Sequence, residues 1–459
     1  MRKIALPLTV IGAVLVLLFA TGGVDADSIT WTAGFQVQNL GTATANITIT
    51  YYKQDGLVAA TQVDTIAPGT SKTYYGATMN VADGFNGSVV ITSDQPIVAI
   101  ANLLTSDPTM AGSYSGVTAD ATATEVNLPL VMRNHGDPPW NTTISVQNAG
   151  PITATVTLAF QPSPGFPGSP DTINDTIPPS AAHRYDQLGQ TDLGDEFVGS
   201  VVVTSDQPVA AEVNEIETGG SRLMSYTGFS GAGSSTVNIP LVMTQNQGWW
   251  TGVQVQNLGT VPTDITITCH PDPAYTTWTP TPETVTNVAP GASANFLQSG
   301  GQWTQLFVGS AVVTNSAGQP LVAIVNELKG TDQGMSYSGF DPATATDEVN
   351  LPLIMTQNPE PDRWWTGVQV QNLGTVPTDI TITFHPAPGL TWTPTPETAT
   401  NVASGASANL LQTGGQWTQL FVGSAVVTNS AGQPIAAIVN EITVSPIGEE
   451  SMSYNGFNQ

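Results

Sequence analysis

Proton transfer near neutral pH is most often carried by histidine, and the chain has four: His135, His183, His270 and His385. His270 and His385 precede prolines at equivalent places 115 residues apart, and His135 and His183 have no counterparts, so no pair has metal or acid–base spacing. No Gly-rich phosphate loop, nucleophile elbow or His-Glu-x-x-His run is present. Cys269, the single cysteine, excludes an internal disulfide. It stands 13 residues after Gln256, where Tyr51, Phe160 and Phe384 follow Gln38, Gln147 and Gln371, so it reads as a small core residue. The expectation is no enzyme, no catalytic residue, no cofactor and no metal.

Glu215, Glu327 and Glu441 each follow an asparagine at a strand end, where Leu103 stands in the first copy. Together with Asp120, Glu125, Asp341, Asp347 and Glu348 they read as solubilising charge on edges and linkers. Calcium between modules is the alternative, without an EF-type loop to support it.

Tryptophan is the more informative type. Trp31, Trp140, Trp249 and Trp364 all stand seven residues before a Gln-Asn pair, as a packing element would. Trp250, Trp278, Trp303, Trp365, Trp392 and Trp417 occur only in the last two copies, several beside Thr and Pro in "TTWTPTPET" and "LTWTPTPET". These six are the candidate ligand-binding residues, as flat rings that could stack on a sugar or another protein. The competing reading has them cover the ends of the folded units or seal the contact between the third and fourth.

The copies are evident from "WWTGVQVQNLGTVPTDITIT", which occurs at 249–268 and again at 364–383. Gln-Asn recurs at 38, 147, 256 and 371, with spacings of 109, 109 and 115 residues. Gly-Ser (Gly87, Gly199, Gly309, Gly423), Gln-Pro and Ser-Tyr keep step. A period this long suits a self-sufficient domain rather than a solenoid repeat. The predicted organisation is a leader over 1–26 and β-sandwich repeats over 27–116, 126–229, 237–340 and 349–459, joined by short linkers.

Within each copy the apolar period is two: Val368 and Val370 alternate with Gln369 and Gln371, then Ile380, Ile382 and Phe384 with Thr381 and Thr383. Such alternation predicts half-buried antiparallel strands, one row in a core and the other in water. Between them, Asn-x-Gly-Thr predicts a turn in which Gly41, Gly150, Gly259 or Gly374 takes positive φ and Asn caps it. The leader apart, no helical period is found, and the fold class is all-β.

The order Asn-x-Gly-Thr, a strand like "NITITYY" and then "TIAPGTSKTYY" resembles the bacterial immunoglobulin-like repeats of the CARDB type, a cell-adhesion-related domain. The likeness covers about the first half of each copy, through "TIAPGTS", "NVAPGAS" and "NVASGAS"; the second copy departs with "TIPPSAA". It implies four immunoglobulin-like antiparallel sandwiches in tandem and specifies fold rather than ligand.

The opening "MRKIALPLTVIGAVLVLLFA" has two cations, an apolar run and a small-residue end at Val24-Asp25-Ala26, the plan of a secretory signal cleaved after Ala26. The run also has the length of an uncleaved anchor. Net charge is −26 with only 10% charged residues, which argues against nucleic acid and anionic lipid as partners. The expected protein is secreted or held at the cell surface, a structural or adhesion protein binding surface polysaccharide or another surface protein, with no membrane insertion after cleavage. A carbohydrate-binding protein using the six tryptophans is the alternative. Laid end to end, four modules would reach on the order of 120 Å. A strand like "NLPLVM" precedes copies two, three and four, so one terminal module is expected to show an unpaired edge open to self-association.

Overall fold

The computed structural model describes residues 12–19 (backbone only), 31–105, 110–272, 274–276, 278–358, 364–443 and 451–458. The expected cleavage point at Ala26 lies outside them. Among the described residues the chain is strands, turns and short 3-10 helices, with no α-helix, and every strand pairing is antiparallel.

Repeat three shows the plan most simply. One sheet runs Thr236–Thr244, Phe307–Asn315, Thr263–Pro271, Glu283–Val288; the facing sheet runs Ser293–Leu297, Trp249–Asn257, Leu321–Lys329, Gln333–Ser338. Alternation works as read on the first sheet, where Ile265, Ile267 and Cys269 are buried while Asp264, Thr266 and Thr268 are half exposed. Those rows meet Val253, Val255, Ala323 and Val325 from the other sheet in one core. The other repeats keep this pairing. In repeat two, Phe197–Glu217 runs through both sheets unbroken; in repeat four, Glu348–Asn358 also pairs with Trp364–Asn372 and joins the two.

The "NLPLVM" strand belongs to the repeat that follows it. Ala123–Arg133 pairs with Phe197–Glu217, Thr236–Thr244 with Phe307–Asn315, and Glu348–Asn358 with Phe421–Asn429. A bulge at its proline lets the Ser-Tyr tyrosine lock it: Tyr226, Tyr337 and Tyr454 hydroxyls donate to the carbonyls of Leu130, Leu241 and Leu353 and accept from the same residues' N–H groups.

Two expectations about local structure are corrected. The glycine of Asn-x-Gly does not take positive φ. It is required for space, because a Cβ on Gly41, Gly150, Gly259 or Gly374 would lie 3.0, 2.8, 2.8 or 2.7 Å from the Cβ of the Gln-Pro glutamine, an atom fixed to the backbone. The asparagine does close the turn, Asn39, Asn148, Asn257 and Asn372 Oδ1 accepting from that glycine's N–H at 2.8–2.9 Å.

The second correction concerns the row expected in water. Gln38, Gln147, Gln256 and Gln371 are fully buried, and Gln36, Gln254 and Gln369 nearly so. They face a neighbouring repeat, and the repeats do not extend end to end: they close on themselves. Ser88, Ser200, Ser310 and Ser424 of the Gly-Ser pairs donate to the carbonyls of Ser180, Gly291, Gly405 and Gly69, each in the next repeat and the last returning to the first. Strand Ala111–Ser115 of repeat one lies against both Leu223–Thr227 of repeat two and Ser451–Asn455 of repeat four. Apolar packing follows the same cycle: Ile324 enters the core of repeat two, Ile438 that of repeat three and Ile100 that of repeat four. Burying an isoleucine side chain stabilises by about 1.5–3 kcal/mol, so each of these seams carries a sizeable apolar anchor.

The carbonyl that each seam serine grips belongs to a left-handed residue: Gly69, Gly291 and Gly405 at φ 68°, 77° and 76°, and Ser180 at φ 61°. The "TIPPSAA" departure thus keeps the turn with a residue that has a Cβ. A left-handed non-glycine costs about 1–2 kcal/mol, part of which glycine's extra unfolded-state freedom offsets. Ser180→Gly is therefore expected to stabilise the protein by roughly 0.5–1 kcal/mol in urea unfolding; a loss of stability would show the turn is held another way.

Candidate functional site

The six candidate tryptophans separate into three pairs. Trp303 and Trp417 are 3% and 2% exposed, each donating Nε1–H to a carboxylate, Glu283 Oε1 or Glu397 Oε1, at 2.6 Å. Trp278 and Trp392 are half buried and stand edge-on to them at 5.6 Å between ring centroids, with Phe307 and Phe421 completing each cluster. These four close the ends of their own cores. The assignment of Trp303 and Trp417 as ligand-stacking rings is corrected, because a ring without exposed faces cannot stack on a ligand.

Trp250 and Trp365 remain. Both are half exposed on the outer side of the Gln-Asn strand, whose other face is core. Trp250 and the 47% exposed Leu297 flank Gly252; Trp365 and the 39% exposed Leu411 flank Gly367 in the same way. A side chain on either glycine would press on the leucine at 3.2 or 3.1 Å, so the small residue leaves the ring and the leucine as one apolar surface. Thr32 and Asn141 stand in the tryptophan's place in repeats one and two. The candidate site is thus two copies of one Trp–Gly–Leu surface.

Trp249 and Trp364 are buried in the cores of repeats three and four, and Trp31 and Trp140 pack against those of repeats one and two, as their recurrence implied. Cys269 is 5% exposed, and burial pushes its thiol up to about 12, which leaves it protonated and inert. The histidines do not converge. His270 is held low by burial and lies against Gly405 of the next repeat, His183 contacts Asp175 at 2.8 Å, and His135 contacts Glu196 at 3.0 Å. Among the described residues no three His, Cys, Asp or Glu side chains are grouped as a metal site.

The acidic residues hold the largest departure from expectation. Glu215, Glu327 and Glu441 are fully buried, not solubilising charge. Asn326 Nδ2 donates to Glu215 Oε2 at 2.7 Å across one seam, and Asn440 Nδ2 to Glu327 Oε2 at 2.9 Å across the next. In both pairs Glu Oε1 and Asn Oδ1 are buried without a partner. Two acceptors cannot satisfy one another, whereas a proton on the carboxyl turns one into a donor. Desolvation raises both carboxyls to about 8, the asparagine bond opposing it. Glu441 is raised well above its ordinary value by burial; Glu212, which stands where the other repeats have Ile100, Ile324 and Ile438, is raised to about 8. Only the recurrence of Asn-Glu at three strand ends could have signalled this.

No family model matches the chain, and no curated protein matches it. Among solved structures, 24% of the chain is similar to 94% of "Thermotoga maritima 1070", at 16% identity and TM-score 0.20. The chain is also similar over 97% of its length to 96% of a glycoside hydrolase family 32 protein from Bifidobacterium adolescentis, at 9% identity and TM-score 0.14. A third likeness pairs 87% of the chain with 54% of an alpha-L-rhamnosidase from Streptomyces avermitilis, at 7% identity and TM-score 0.11. At these scores none carries an argument about this protein. No helix among the described residues is long and apolar enough to cross a membrane.

Two predictions follow from these placements. Trp303→Ala is expected to cost about 3–5 kcal/mol in denaturant unfolding and Trp250→Ala less than about 1 kcal/mol; similar losses would erase the distinction between core and surface rings. For the buried carboxyls, the folded form keeps protons that the unfolded chain has released above pH ~4.5, so stability is full below that pH and declines as pH rises toward 8. The Glu215→Gln, Glu327→Gln double variant keeps one acceptor oxygen and puts an N–H donor in place of the other, as the protonated carboxyl does, without the titration. It is expected to melt roughly 3–6 °C above wild type at pH 8.5 and to match it near pH 4.5, by calorimetry.

Proposed function

We propose that this chain is an exported, non-enzymatic protein of the cell surface or extracellular matrix, built from four immunoglobulin-like β-sandwich domains of the CARDB-like kind and serving a structural and adhesive role. The observation that carries this reading is where the recurring polar residues go. Gln, Ser and Asn that would equip a catalytic cleft are used to bind repeat to repeat, and the outward rows of Thr263–Pro271 and Thr378–Pro386 hold Asp, Thr and His without a converging cluster. A chain that repeats a surface gains avidity from weak contacts, which suits adhesion. The leader, the acidity and the low charge density favour export over work on nucleic acid or lipid.

The second reading, carbohydrate binding, is favoured by one feature: the half-exposed Trp250 and Trp365, each beside an exposed leucine. Sugar faces stack on such rings.

Immunolabelling of intact producing cells is expected to find the protein outside, and a high-salt wash to release it without lysis; label seen only after permeabilisation would end the surface reading. Retention of the purified chain on insoluble polysaccharides, lost at least tenfold in the Trp250→Ala, Trp365→Ala double variant, would move the assignment to carbohydrate binding.

A further inference from the structure

The first repeat has no "NLPLVM" segment, yet its fold contains the place for one. In the other repeats that strand is an inner strand, not an edge. On one side it pairs with the Gly-Ser strand, as Leu128 with Val201, Ile239 with Ala311 and Leu351 with Ala425. On the other it meets the residue that follows the Ser-Tyr-x-Gly turn, as Asn127 with Phe229, Asn238 with Phe340 and Asn350 with Phe457. Left unfilled, such a gap leaves backbone N–H and C=O groups on two strands without sheet partners.

In repeat one the gap lies between Asn86–Ser93 and Val117–Thr118. The strand within it is Gly12–Phe19, from the apolar run that reads as an export leader. Its register is that of the other three repeats on both sides. Val16 pairs with Val89, the counterpart of Val201, and Leu15 with Val117, the counterpart of Phe229. Pairing runs without a shift from Gly12–Ser93 to Phe19–Asn86, whereas the other three strands bulge at their proline, which this segment lacks.

We propose that Gly12–Phe19 is the missing first strand of repeat one and that the working protein retains it, in place of the cleavage after Ala26 that the leader-like plan led us to expect. The inference rests on strand register rather than on the adhesive role, and it goes beyond that role by giving the apolar run a place in the fold. Its retention also closes the edge through which a second copy would pair.

Two experiments on the full chain test it. A proline has no N–H to give, so Val16→Pro is expected to raise amide exchange over Asn86–Ser93 and Val117–Thr118 at least about tenfold, with Phe307–Asn315 of repeat three unchanged. A peptide of the Gly12–Phe19 sequence, flanked by lysines for solubility, should restore protection. Unchanged exchange in the variant overturns the proposal. Independently, Leu15→Cys with Val117→Cys places two thiols on directly paired residues, so mild oxidation should join them, read by intact mass after digestion. No cross-link in the folded chain overturns it equally.

Discussion

One peptide carbonyl per repeat organises the molecule. The left-handed residue after Val58–Ile66, Asp171–Ile177, Glu283–Val288 or Glu397–Val402 turns its carbonyl out of its own sheet, toward the serine of the preceding repeat's Gly-Ser pair. In repeats two, three and four the buried glutamine of Gln-Asn holds the same oxygen from its own side. A carbonyl has two lone pairs, and here one is used within the repeat and one across the seam. Either bond alone is worth about 1 kcal/mol net, and in these three repeats the loss of one donor leaves the oxygen held by the other.

The glycine of Gly-Ser answers to a second carbonyl, in its own repeat's sheet. A Cβ on Gly87, Gly199, Gly309 or Gly423 would lie about 2 Å from a carbonyl oxygen of the neighbouring strand, at 1.9, 2.2, 2.1 and 2.2 Å. The seams differ in their inner polar pairs. Glu–Asn pairs span the seams from repeat two to three and three to four, whereas Leu103 holds the glutamate's place in repeat one and Glu212 replaces the seam isoleucine in repeat two. The seam between repeats one and two is therefore chemically distinct from the others.

Much of the fold was legible. Period two in "DITIT" and "GVQVQN" specified antiparallel strands, and the aromatic recurrence around Cys269 placed that residue in a core, since both depend on neighbours along one strand and on comparison between copies. The site was legible only in part. Trp250 and Trp303 are equally absent from the first two copies, so recurrence cannot separate a half-exposed ring from one that caps a core and bonds Glu283. Sequence spacing also could not reveal the purpose of the glycine in Asn-x-Gly, because the atom it avoids, the Cβ of a Gln-Pro glutamine, lies more than 50 residues away.

The sequence by itself determined an all-β chain, its four like units, its landmarks and the inertness of its cysteine, because alternation and repetition are local properties of the chain. Only the tertiary structure decided that the second row of glutamines and the Asn-Glu strand ends are interior. A strand with one apolar and one polar face reads the same whether the polar face meets water or the matching polar face of another repeat. The difference lies in where the neighbours stand, and their closure on one another, the fourth against the first, is a property of the assembled sheets that no window along the chain contains.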